Sequence, residues 1–242
     1  MTALNRVLIP VDVSESPSVS GALVNALPPA DVILLGYWLI PHQTTSEQAR
    51  TQFGAEGQQT LQSVADQITD YGLGVQTELV FAHDRSQLID RATNKYNCQS
   101  VLVPGSESPS TDTPRGLVLV KPDADLDRIA TTIGTLFEET DAEFTLFHVA
   151  GDSVDQPYDT TEYLLRGMKS RLTELGLDKD RISWKRSMAY NRVDAILSEG
   201  SDYDFVILSE SEPTLRERIF GPVQSELAKN TQKPLLTVRV RE

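Results

Sequence analysis

With 242 residues the chain is long enough for two domains of about 120 residues each, so the size of the core is no constraint. It carries 35 acidic and 22 basic side chains, a net charge of -13 that is shared almost evenly between its two halves. No basic patch stands out, which argues against a nucleic-acid partner, and an acidic surface without acidic blocks has the halophile-like look of a protein solvated in salt.

Cys98 is the single cysteine, so an intrachain disulfide and a cysteine-built metal site are excluded. The first residues run into a strand without a signal-like apolar stretch, and no apolar run reaches spanning length. The expectation is a cytoplasmic protein that is not embedded in a membrane.

In chain order, apolar strand-like runs alternate with helical periodicity, the pattern of parallel βα units. The first unit reads as a strand over 6–12, a helix over 14–27, a strand over 31–40 and a long helix over 46–71. That helix rests on Leu61, Val64, Ala65 and Ile68 at i, i+3, i+4 and i+7. A strand over 75–82, a helix over 87–96 and a strand over 100–105 complete it. The order then restarts: strand 116–121, helix 126–138, strand 143–150, helix 160–175, strand 181–188, helix 193–198 and strand 204–208. Only this second unit continues, with a helix after Gly221-Pro222, where proline suits a first helical turn, and a strand over 235–240.

The fold class expected is therefore α/β: two tandem flavodoxin-like parallel sheets with helices on both faces, the first unit spanning 1–113 and the second 114–242. Only residues 109–115 separate Ser108 from the next strand, too few for a helix and a strand. The first unit thus lacks its last helix and strand, leaving an open edge that the C-terminal strand or a second chain must cover.

Two strand ends carry polar and glycine residues: Pro10-Val11-Asp12-Val13-Ser14 and Val103-Pro104-Gly105-Ser106. In parallel α/β sheets this is where ligand sites form. Asp12 reads equally as a ligand contact or as a cap for the following helix, and Gly105 as a phosphate-facing or a plain turn residue. His42, His83 and His148 show no metal-ligand spacing, and Tyr37 and Trp38 read as packing groups.

These residues resemble the universal stress protein superfamily, whose adenine-nucleotide-hydrolase-like sheet has the order 3-2-1-4-5. The Pro-x-Asp-x-Ser pattern is matched by residues 10–14, and Asp123 after Lys121-Pro122 is the second carboxylate, in a shifted setting. The resemblance implies nucleotide contacts at Pro10, Asp12, Ser14, Tyr37, Gly105, Ser106 and Ser108 in the first unit. In the second it implies Asp123, Val149, Ser209, Ser211, Gly221 and Val223. The family's phosphate loop, Gly-x2-Gly-x9-Gly-Ser/Thr, is degraded in both units. Ser108 takes the second glycine position of the first, Ser209 and Glu212 take both positions in the second, and Pro222 removes an N–H.

Glu107, Glu210 and Glu212 would also face a triphosphate, each like-charge pair costing about 1 kcal/mol in water and about 4 at an intermediate dielectric. Arg216 and Arg218, at helical spacing, read as a solvated face. The resemblance therefore implies a dimeric stress-response or regulatory protein with weak or no ATP binding and no certain cofactor, more a binding protein than an enzyme. The alternatives are a nucleotide switch or ATP hydrolase using the first unit, and a soluble regulatory partner of a membrane transporter. A small-molecule ligand or a protein partner fits each reading.

Overall fold

A computed structural model describes residues 6–15, 17, 19, 31–105, 113–122, 124–138, 140–150, 158–189, 191–209 and 233–239. The expected helix over 14–27 falls mostly outside them, and so does the helix after Pro222; residues 13–15 form a turn. The first half contains β1 (Arg6–Asp12), β2 (Asp31–Leu39), α1 (Ser46–Asp70), β3 (Gly74–Ala82), α2 (Arg85–Tyr96) and β4 (Ser100–Val103). The second contains β5 (Arg115–Leu119), α3 (Leu126–Phe137), β6 (Glu143–Ala150), α4 (Tyr158–Glu174), β7 (Ile182–Met188), α5 (Arg192–Gly200), β8 (Phe205–Ser209) and β9 (Leu235–Val238).

Helix boundaries follow side-chain chemistry. Thr45 and Gln48 form a reciprocal capping box at the start of α1, while Asp84 and Asp125 accept from Gln87 N and Arg128 N to open α2 and α3. Asn97 ends α2 in the left-handed region at φ 57°, a conformation asparagine tolerates better than most residues.

The strands form one sheet in the order β3-β2-β1-β4-β9-β8-β5-β6-β7. Read outward from β9, both arms repeat one topology: fourth strand, first, second, third. β9 runs parallel to β8, from Val206↔Leu235 to Ser209↔Val238, and antiparallel to β4, from Ser100↔Val238 to Val103↔Leu235. A single strand thus serves as fifth strand to both halves, and the open edge beside β4 is covered from within the chain. Because β9 is antiparallel to β4, the C-terminal strand ends of the two halves lie at opposite edges of the sheet.

Both faces are packed. α1, α3 and α4 bury Leu61, Ile133 and Leu172 with Val7, Ile9 and Phe205 on one side, and α2 and α5 bury Ile89 and Ile196 with Leu8, Val101 and Leu117 on the other. Burial on both sides is why the strands read as continuous apolar runs. Inside the first cluster Phe137 stacks on Phe205 at 5.5 Å, and Phe144 meets Phe137 edge-on at 5.2 Å.

The halves also repeat in detail. Arg6 N donates to Gln99 Oε1 and Arg115 N to Asp204 Oδ2, both at 2.8 Å, while Gln99 N and Asp204 N return bonds to the arginine carbonyls. A surface latch recurs with its charges exchanged. Lys95 on α2 meets Glu78 on β3 at 2.6 Å, whereas Glu199 on α5 meets Lys185 on β7 at 2.6 Å.

Candidate functional site

The crevice between β1 and β4 is where strand order reverses in the first half, the usual position for a ligand in an open α/β sheet. Pro10 is buried opposite Leu35, and Asp12 ends β1 opposite Tyr37. The half-buried Asp12 carboxylate is turned onto its own chain: Oδ1 accepts from Ser14 N at 3.0 Å and from Ser14 Oγ at 2.6 Å. The resulting Asx turn fixes the carboxylate. Gly105 is buried just beyond β4, the neighbour of β1.

Tyr37 brings a further group into the cluster. Its ring is buried and the Arg85 guanidinium lies over it, 5.2 Å from the centroid. Burial pushes the phenol up to about 12; Arg85 pulls the other way, and the Asp12 and Glu15 carboxylates add to the rise. Asp12, Glu15, Tyr37 and Arg85 therefore form one electrostatic group. Arg85 was not singled out from the sequence. Its signal was the cap-arginine pair Asp84-Arg85 that opens the third helix of the unit, which returns as Asn191-Arg192, where Asn191 Oδ1 accepts from Asp194 N.

The second half differs at the corresponding places. Its register starts with Arg115 opposite Glu143, as the first starts with Arg6 opposite Asp31. Six residues after the arginine stand Asp12, the last residue of β1, in one half and Lys121, two residues past the end of β5, in the other, so by count from the arginine a cation stands where the first half has its carboxylate. Tyr37 is matched by the buried Val149, and Gly36 by the buried His148, whose Nδ1 bonds the Val120 carbonyl at 2.8 Å at the end of β5. In the first half such a side chain would have to displace its neighbours, since a Cβ on Gly36 would meet Leu61 Cδ1 at 2.9 Å and Val13 Cγ1 at 3.0 Å.

Of the residues expected at the site, Pro10, Asp12, Ser14 and Tyr37 come together, with Gly105 just past the end of the adjacent strand. Val149 lies at the other edge of the sheet, and Ser209 ends β8 opposite Val238. Ser106, Ser108, Asp123, Ser211, Gly221 and Val223 lie outside the described residues.

No family model and no curated protein matches the chain in sequence. Its fold is similar to a universal stress protein from Archaeoglobus fulgidus, at 14% identity and a TM-score of 0.64 over 97% of this chain and 96% of that one. A functionally unknown protein from Pseudomonas aeruginosa PAO1 matches at 11% identity and a TM-score of 0.51, over 98% and 93% of the two chains. A protein of Pseudomonas aeruginosa UCBPP-PA14, provisionally assigned as a universal stress protein, matches at 10% identity and a TM-score of 0.51, over 98% and 94%. These likenesses extend over both halves and agree with the shared strand order. The chain has the fold of the universal stress proteins.

Proposed function

We propose that the chain is a regulatory, non-enzymatic protein of the universal stress type, holding an adenine nucleotide weakly and only in its first half. The observation that carries this reading is the difference between Asp12 and Lys121. A carboxylate at the end of the first strand can accept from ribose hydroxyls or base amino groups, and a lysine cannot. Because Oδ1 of Asp12 is taken by Ser14, a ligand would use Oδ2. That fixed carboxylate is suited to positioning a ligand more than to moving protons.

Weakness follows from charge. Glu15, which with Asp12 acts on Tyr37 against Arg85, opposes a triphosphate, and in the sequence a further carboxylate, Glu107, follows Gly105 by two positions. The expected ATP dissociation constant is above about 100 μM, corresponding to about -5.5 kcal/mol. Calorimetry of the intact chain with ATP and AMP tests this: binding at low micromolar concentration overturns the reading, and so does Asp12→Ala binding as well as the native chain.

The two units proposed remain 1–113 and 114–242, in a cytoplasmic protein; among the described residues no helix is long and apolar enough to cross a membrane. The proposed homodimer would use a surface other than the edge of β4, which β9 already occupies.

A further inference from the structure

Two of the chain's three histidines, 41 positions apart in sequence, meet beside the first-half cleft. His42 follows β2 and His83 follows β3; their exposed rings lie 5.2 Å apart between centroids and 23° from parallel. The loops that carry them are joined by backbone, with Ile40 N donating to Ala82 O at 2.9 Å.

His83 is also oriented. Its Nδ1 lies 3.0 Å from the Ile40 carbonyl oxygen, and since a carbonyl only accepts, Nδ1 carries a proton and Nε2 is the nitrogen left to bind an ion. A backbone carbonyl holding one imidazole nitrogen so that the other can ligate is the recurring support of metal-binding histidines. Exposed side chains such as that of His42 change rotamer within nanoseconds, so one ion can be reached by both rings at little cost.

We propose that His42 and His83 form a two-imidazole site for a late first-row divalent cation, with water completing the coordination. Imidazole ligands select copper, nickel and zinc over magnesium and calcium, and the affinity order puts copper(II) first. The net charge of -13 favours any cation at the surface, but only this pair supplies two neutral nitrogen donors. The third histidine, His148, is buried in the second half, and Cys98 is buried as well, so neither competes for an added ion. Bound there, the ion would tie the loop after β2 to the loop after β3, next to Tyr37 and Arg85.

The test is a titration of the intact chain with copper(II), nickel(II) and zinc(II), each alone, read by thermal midpoint and, for copper, by electron paramagnetic resonance. At a hundredfold excess over the dissociation constant the midpoint is expected to rise by about 5 °C or more. The copper spectrum should show nitrogen hyperfine coupling from two imidazoles. His83→Asn keeps a donor for the Ile40 carbonyl and should weaken binding about tenfold or more, as should His42→Asn, because each leaves a single ligand. The double variant should lose the midpoint shift. Calcium and magnesium should leave the midpoint unmoved. Equal shifts in the native chain and the double variant, or a copper spectrum without two-nitrogen coupling, overturn the proposal.

Discussion

At single positions, the first half is set apart by Asp12, Tyr37 and Arg85, and each makes a separable prediction. Tyr37 resists ionisation up to about 12, so in an ultraviolet titration one phenol should ionise well after exposed tyrosines, whose ordinary value is about 10. The folded state binds that proton more tightly than the unfolded chain. Stability therefore holds below about pH 10 and falls as pH rises to about 12, by roughly 2–3 kcal/mol for a two-unit difference. Arg85→Ala removes the opposing cation and should raise the phenol further; an earlier ionisation in that variant would contradict the cluster. The Pro-x-Asp-x-Ser stretch made Asp12 legible from sequence, since a local turn is written in local residues. Arg85 and Lys121 were not legible, because their roles come from strand register and from a helix start brought next to β2.

At the scale of elements, the strands and helices were legible because burial on both sheet faces leaves apolar runs, and caps such as Thr45 and Asp84 mark helix starts. The sequence admits either the C-terminal strand or a second chain as the partner of β4, and the partner is β9. That pairing joins strands more than 130 residues apart in sequence, and no periodicity encodes it. Leu236, fully buried on β9, should cost about 2–5 kcal/mol as Leu236→Ala, and hydrogen exchange should then accelerate in both β4 and β8. Acceleration confined to β8 would contradict a shared strand.

Two further substitutions examine packing. A Cβ on Gly116 would sit 2.6 Å from the Phe205 ring, so Gly116→Ala should lower stability by about 1–3 kcal/mol in a chemical denaturation series. Gly167, exposed within α4 with nothing within 4 Å of such a Cβ, should gain about 0.5–1 kcal/mol as alanine. Thr237 on β9 buries a hydroxyl with no hydrogen-bond partner among the described residues, and Thr237→Val should stabilise by about 1 kcal/mol.

At the scale of the whole molecule, two antiparallel halves around β9 place two strand-end crevices at opposite edges of one sheet. The halves keep their common corner, in which a first-strand arginine is bonded to the residue before the fourth strand, and they diverge at the strand ends. Structure is thus repeated where it supports the fold and altered where a ligand would sit. The central claim is that one crevice binds and the other does not. Native mass spectrometry of the chain with millimolar ATP tests it most directly. At most one nucleotide per chain is predicted, lost in Asp12→Ala and kept in Lys121→Ala. Two nucleotides per chain, or one that survives Asp12→Ala and disappears with Lys121→Ala, would contradict it.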